Sequence, residues 1–353
     1  MRYKKKVITI GAFDLAKGMG MFCIVAGHTI FNYDVPFTAV STGLKIFGTG
    51  LMPMFFLISG FGCKGTEEKK YLKKTVKELL IPYFFVTAAA AVLFPVLHFL
   101  MFRWWPGTWD ETKKIVLAYL TGCSKSGRVF LGSELYECSV VWFLLALFWS
   151  SNILNLILKR ISGRVQIIAV LVCVAAGAGC LAGDIWMFCI PQGLLSVGYL
   201  YLGYLMKKTG WLERKLPVWQ KLLLSGISGA EVVWGGINLA YGIFRWGALD
   251  YFGAGLAGIL MIRVTLWFNR YDGVFLEKIR KVGRYSYYAM CVHSVEMNCI
   301  PWYLFASCFA RFPYAGYFFQ IFVRGTIIWA GCMVLNKISA RKRRTLQPGG
   351  GSC

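Results

Sequence analysis

A stretch near the N-terminus, residues 13–29, most constrains what this chain can fold into. It is apolar enough to enter a bilayer, yet it carries Asp14, Lys17 and His28. Charges in a membrane helix are costly and usually functional. Asp14 and Lys17 are spaced to pair on one helix face. Lys17 and His28 lie close to three turns apart, so they point the same way, about 16 Å apart along the axis. A juxtamembrane ion pair plus a structural histidine would explain each residue alone, but three polar groups on one stripe predict a site.

The composition indicates an integral membrane protein. The chain has 353 residues, of which 57% are hydrophobic and 16% charged, whereas soluble domains are about 45–50% apolar and about 25% charged. No hydrophilic block is long enough to form a separate domain. We therefore expect one membrane domain over residues 1–344 and a flexible tail over 345–353. The basic N-terminus resembles a signal peptide, but Asp14 and Lys17 interrupt its apolar core, which favours an uncleaved first helix.

Apolar runs near the spanning length of about 20 residues predict the fold class. It is an all-α, polytopic bundle of about ten transmembrane helices, with both termini on one side. The predicted spans are residues 10–31, 42–62, 79–101, 140–158, 166–183, 185–206, 221–242, 247–268, 284–306 and 314–336.

The distribution of basic residues predicts the orientation of this bundle. The segments assigned to the cytoplasmic side hold 28 lysines and arginines, and those assigned to the outside, including the long loop 102–139, hold 7. This asymmetry follows the positive-inside rule and predicts cytoplasmic termini. It also accounts for the formal net charge of +23 without a nucleic-acid partner, and we expect none.

The twelve cysteines show no spacing typical of a zinc site or a disulfide framework, and we expect no metal. Cys123 and Cys138 share the predicted external loop, where a disulfide is possible, although we expect free thiols.

A basic run follows the second predicted span. Lys73 and Lys77 lie one helical turn apart, and Lys74 is adjacent. One interpretation is a flank that touches anionic lipid heads, at about 1 kcal/mol per charge. The other is a clamp for the phosphates of a nucleotide-like donor that approaches from the cytoplasm.

Several motifs, in order, resemble the acyltransferase 3 family of multi-spanning membrane enzymes. The resemblance covers about residues 8–336. The first-helix basic residue and His28 carry it, although the family usually has arginine where this chain has Lys17, and often a histidine where it has Leu51. The other matching segments are Met52-Pro53-Met54-Phe55-Phe56-Leu57-Ile58-Ser59-Gly60, Leu80-Ile81-Pro82-Tyr83, Trp142-Phe143-Leu144 and Gly283-Arg284-Tyr285-Ser286, which leads to His293.

The resemblance implies an acyl-CoA-dependent O-acyltransferase in the cell membrane, which we expect to be the bacterial cytoplasmic membrane. The donor would be acetyl-CoA, bound by Lys73, Lys74 and Lys77. The acceptor would be a hydroxyl of a cell-envelope glycan or a lipid-linked sugar. His28 is the natural base for the acceptor hydroxyl, or a nucleophile that takes the acyl group, with Asp14 and Lys17 orienting groups near the donor. The sequence does not predict the oligomeric state.

The remaining polar residues have other expected roles. We expect His293 to be structural. Glu134 and Glu137 lie before the fourth span, where they would contact an acceptor sugar or simply be solvated. Charge pairs between helices are the expected role of four further residues, Glu231, Glu296, Arg263 and Arg324.

A transporter without chemistry is the rival class, because intramembrane charges and histidines suit both. Release of CoA from acetyl-CoA would distinguish an enzyme from a carrier.

Overall fold

A computed structural model of the chain describes the backbone of residues 2–33 and 38–345 and the side chains of residues 10–33 and 38–338. Almost all of the predicted tail, residues 346–353, lies outside the described residues. Within them the chain is helical, apart from two short hairpins. The helices are α1 (Arg2–Ile30), α2 (Thr38–Phe61), α3 (Glu68–Thr75), α4 (Ile81–Phe102), α5 (Trp105–Thr121), α6 (Trp142–Arg160), α7 (Val165–Ala182), α8 (Ile190–Lys208), α9 (Val218–Trp234), α10 (Ala248–Phe268), α11 (Val274–Arg284), α12 (Ser286–Cys299), α13 (Trp302–Ser307) and α14 (Pro313–Thr345).

The two hairpins are antiparallel. Strand β1 (Arg128–Phe130) pairs with β2 (Ser133–Leu135), and β3 (Ile237–Asn238) pairs with β4 (Ile243–Phe244). The described residues also include three short 3₁₀ segments, at Ser139–Val141, Met187–Cys189 and Trp211–Glu213.

The predicted polytopic helical bundle is confirmed, but two of the ten predicted spans are shorter than expected. Eight helical stretches among the described residues are long and apolar enough to cross a membrane. In the seventh expected span, α9 ends at Trp234 and the β3–β4 hairpin follows. In the ninth, α12 ends at Cys299, because Pro301 disfavours helical backbone at Ile300, which is extended. The cytoplasmic position of both termini remains a prediction from the charge asymmetry.

The segment 102–139, expected as a loop, contains helix α5 and the β1–β2 hairpin. Pro106 stands in the first turn of α5, where its missing N–H costs nothing. Gly122 ends the helix with φ of 66°, a left-handed conformation that glycine adopts without strain.

Small residues allow α2 to pack closely against α8. A Cβ added at Gly60 would overlap the carbonyl group of Leu200 on α8, and one added at Gly203 would overlap the carbonyl oxygen of Leu57 on α2. The backbones of α2 and α8 are therefore in direct contact, which fixes the wall of the bundle beside α1.

A π-helical segment, Val76–Leu80, joins α3 to α4. Pro82 has no N–H, so it cannot donate to the carbonyl oxygen of Glu78 as a regular helix would require. The hydroxyl of Tyr287 on α12 donates to that oxygen instead, at 2.6 Å. This hydrogen bond thus joins the π segment to α12.

Candidate active site

Two cavities open inside the bundle. The larger, about 880 Å³, is lined from Lys17 on α1 to Phe31 just after that helix, and from Ser59 to Lys45 along α2. At about 1.5 Å per residue, either stretch corresponds to roughly 21 Å, which is most of the ~30 Å hydrocarbon thickness of a bilayer. The cavity therefore runs along the predicted membrane normal through most of the thickness of the bilayer.

The smaller cavity, about 440 Å³, lies among α1, α4, α5 and α12. Four residues line both cavities, namely His28, Ser126, Glu137 and Met297. His28 is thus at the junction where the two spaces meet.

The polar stripe of α1 forms as predicted. Lys17 Nζ lies 3.0 Å from Asp14 Oδ1, and both Lys17 and His28 line the larger cavity. Asp14 lies beside Gly283 of α11, where an added Cβ would overlap the Asp14 carbonyl oxygen. The close packing of α11 against α1 therefore holds the acidic partner of Lys17 in place. The functional role of the stripe remains a prediction.

A second imidazole lies against the first. The ring centroids of His28 and His293 are 5.6 Å apart. His293 Nδ1 is 2.6 Å from Glu296 Oε1, and Arg324 donates to the same oxygen from Nε at 3.1 Å and from Nη2 at 3.0 Å. Trp302 Nε1 donates to the other carboxyl oxygen of Glu296 at 2.5 Å. The site is thus backed by a buried cluster of His293, Glu296, Arg324 and Trp302.

Glu296 and Arg324 form a charge pair between helices, the kind of role expected for each, and it joins α12 to α14. Arg324 has no exposed surface, and its Nη1 also donates to Thr29 Oγ1 on α1 at 3.0 Å. A buried charge requires a partner, so this pair fixes three helices around His28. The sequence held one signal for the cluster, since Glu296 follows His293 at the spacing of neighbours on a helix face.

Among the described residues, Arg263 and Glu231 do not form the charge pairs between helices that were expected of them. Arg263 donates to the carbonyl oxygens of Trp211 and Arg214 and stacks on the Trp211 ring with its guanidinium carbon 4.3 Å from the centroid. Glu231 lies beside another carboxyl group, that of Asp250. The charge-pair interpretation is wrong for these two residues, because Arg263 binds backbone carbonyl groups and Glu231 lies beside a second acid.

The two candidate glutamates of the outer loop differ. Glu134 is exposed on β2 and lines neither cavity, whereas Glu137 lines both. Tyr241 donates a hydrogen bond to Glu137 Oε2 at 2.8 Å. Burial raises the pKa of the Glu137 carboxyl above its ordinary value, and the Tyr241 hydrogen bond opposes this effect. Glu137 is therefore the acid that a molecule at the cavity junction would meet.

The predicted donor-binding lysines lie outside the cavities. Lys73, Lys74 and Lys77 are exposed, and Lys74 Nζ lies 3.8 Å from Glu78 Oε2. The π segment that carries Lys77 also carries Leu79, which lines the larger cavity. The lysines thus lie on the surface of the element that forms the cavity wall.

No cluster of three or more metal-ligating side chains is present in the described part of the chain. Cys123 and Cys138 are free thiols, and the N–H of Cys138 donates to the carbonyl oxygen of Cys123 at 2.6 Å.

A family model described as an acyltransferase domain matches residues 10–336, nearly the whole chain. The chain belongs to the acyltransferase 3 family. No curated protein and no solved structure matches it. As a member of this family it is a multi-pass membrane acyltransferase, and the helical bundle with its internal cavities is consistent with that class of protein.

The junction of the cavities has groups suited to acyl transfer. An imidazole can take a proton from an acceptor hydroxyl, and a second space beside it allows a donor and an acceptor to approach from different directions. Holding two reactants in one geometry removes much of the entropic barrier to their reaction.

Proposed function

We propose that this acyltransferase moves an acetyl group from cytoplasmic acetyl-CoA to a hydroxyl of a cell-envelope glycan or a lipid-linked sugar. One observation carries the proposal: His28 lies where a deep cavity from the predicted cytoplasmic end meets a second cavity on the predicted outer side. An acyl donor and a hydroxyl acceptor on opposite sides of a membrane require such an arrangement.

The larger cavity suits the donor. Its lining is mostly apolar, with Lys17 towards one end and residues of the β3–β4 hairpin at the other. The flexible arm of CoA and its thioester are largely uncharged and can enter such a space, whereas the nucleotide phosphates would stay at the surface. Lys73, Lys74 and Lys77 are exposed there, and lysine binds phosphate as a point charge.

The smaller cavity suits the acceptor. Its wall offers polar groups at Asn32, Glu111, Tyr136 and Asn298 and an aromatic ring at Trp302, a combination that hydrogen-bonds sugar hydroxyls and stacks on a sugar face. Phe94, Met101 and Phe102 of α4 line the same cavity. Their apolar surface would accommodate the lipid part of a lipid-linked sugar.

Transfer follows from this placement. His28 takes the proton of the acceptor hydroxyl while the oxygen attacks the thioester carbon. The C–S bond breaks, and the proton passes to the departing CoA sulfur, so that the products are an O-acyl ester and free CoA thiol. Glu137 at the junction receives a hydrogen bond from the acceptor when it is ionised.

The test is thiol release by purified protein in lipid vesicles, given acetyl-CoA and an extract of envelope glycans and lipid-linked sugars. We expect acceptor-dependent release of CoA and acetyl groups on the extracted sugars by mass spectrometry. A protein that moves solute across the vesicle membrane without releasing thiol would be a carrier, and the proposal would be wrong. If CoA is released from thioesters with other acyl chains but not from acetyl-CoA, only the proposed donor would be wrong.

A further inference from the structure

A second histidine lies directly behind the residue at the cavity junction. His28 lines both cavities, whereas His293 has no exposed surface and lines neither of them. The two ring centroids are 5.6 Å apart. His293 is therefore shielded from any molecule in the cavities, and the ring that lies between it and the cavity junction is that of His28.

The contacts of His293 define its free nitrogen. Nδ1 faces Glu296 Oε1 at 2.6 Å, and a carboxylate at that distance holds the ring proton on Nδ1. Nε2 then carries a lone pair, and it is fully buried without a hydrogen-bond partner among the described residues. A buried acceptor without a donor costs free energy, so a hydrogen bond donated to this nitrogen would be stabilising.

Few titratable groups are available to provide that bond. Among the described residues, those that act electrostatically on His293 or touch its ring are His28 from α1, Glu296 on its own helix and Arg324 from α14. Glu296 already faces Nδ1, and Arg324 donates to Glu296 and Thr29. Cys299 lies near Glu296. His28 is the remaining group of this set that can offer an N–H; its ring centroid lies 5.6 Å from that of His293, and no hydrogen bond joins it to Nε2 in this structure.

We propose that His293, held by Glu296, is a positioning residue: during transfer it accepts a hydrogen bond from the N–H of His28 and stabilises the positive charge that His28 gains. The inference rests on the proposed function. When the acceptor O–H bond breaks, its proton goes to the His28 nitrogen that faces the cavity, and the opposite N–H of His28 bonds to His293 Nε2. The proton returns from His28 to the departing sulfur, so no further reactant is required. A carboxylate that orients an imidazole in this way is a known device of acyl-transfer enzymes.

The test is His293→Gln, which keeps a polar side chain but cannot stabilise a protonated neighbour as an imidazole does. We expect kcat to fall about 10- to 100-fold, less than the 10²–10⁴ of losing a whole general base. The KM values for acetyl-CoA and acceptor should stay near wild type, and the pH dependence of kcat should change. Cys291→Ala is the matched control, because Cys291 is buried on the same helix and lines neither cavity. It should behave as wild type.

A merely structural His293 would lower the amount of folded protein without moving the pH profile of the enzyme that remains. Wild-type kcat and pH profile in His293→Gln would also overturn the inference. If that variant fails to accumulate, Glu296→Gln tests the same orientation and should give the same loss of kcat and the same altered profile. Buried Glu231→Gln is its control. If wild-type protein transfers no acyl group, the proposed function fails instead, and the two failures are thereby distinguished.

Discussion

Lys17 and His28 line the same wall of one cavity, Lys17 towards its predicted cytoplasmic end and His28 at its junction with the second cavity. The helical spacing of about 16 Å between them approximates the path that a thioester would travel from the membrane surface to the transfer point. We therefore expect Lys17 to lie along the path of the donor and His28 to lie where the acyl group is transferred.

Substitutions at Lys17 separate charge from shape. Lys17→Arg keeps the ion pair with Asp14, which is 3.0 Å long, and should retain most of the activity. Lys17→Ala leaves Asp14 without its partner beside the cavity and should lower activity strongly. The loss of folding free energy should be well below the 3–5 kcal/mol typical of a fully buried pair, because the Lys17 side chain is 28% exposed. Acetylation of the cell envelope, at matched amounts of protein, measures the activity of both variants. Equal activity of Lys17→Ala and Lys17→Arg would show that Lys17 has no role in the path of the donor.

The lysines near the π segment should affect donor affinity. Lys73→Ala combined with Lys77→Ala should raise the KM for acetyl-CoA with a smaller effect on kcat, because lost phosphate contacts weaken ground state and transition state alike. The effect should shrink at high salt, which screens exposed charges. Lys113→Ala combined with Lys125→Ala, in the predicted external segment, is the control. If Lys73→Ala combined with Lys77→Ala keeps the wild-type KM at low salt, these lysines do not bind the donor and are only a lipid-facing flank.

The contact between α2 and α8 should be sensitive to one methyl group. Gly203→Ala would drive its Cβ into the carbonyl oxygen of Leu57, and overpacking of this kind costs about 1–3 kcal/mol. Gly226→Ala on α9 is the control, because nothing lies within 4 Å of an added Cβ there. Thermal unfolding in detergent should give a lower Tm for the first variant and an unchanged or higher Tm for the second. Equal Tm values would contradict the close packing described above.

The half-buried Glu137 side chain should make stability depend on pH. Its pKa is raised by burial from an ordinary value of 4.5, so the folded protein takes up this proton more readily than the unfolded chain. The resulting stabilisation is complete below the unfolded pKa and is lost as pH rises through the raised folded pKa. When the pH is lowered from 8 to 5, the Tm of Glu137→Gln, whose side chain is always neutral, should therefore rise less than the Tm of the wild-type protein. Glu134→Gln, on exposed β2, should keep the wild-type pH response, and an unchanged response in Glu137→Gln would show that burial does not govern this group.

The sequence predicted the fold class and the α1 stripe because both depend on local periodicity. Spanning runs and the spacing of Asp14, Lys17 and His28 are properties of single helices. The cluster behind His28 was not predicted, since it joins His293 and Glu296 on α12 to Arg324 on α14, and such pairing depends on how distant helices pack. The short α9 was missed because an apolar run does not reveal that Gly235 ends the helix and a hairpin follows.

The most direct measurement of the central claim is acetyl transfer by His28→Ala in vesicles, followed by both CoA release and mass spectrometry of the acceptor. The account predicts a fall on the order of 10²–10⁴ in rate, with folded protein at wild-type amounts, because the junction of the two cavities loses its proton acceptor. Wild-type transfer by His28→Ala would contradict the account and would place the reaction away from that junction.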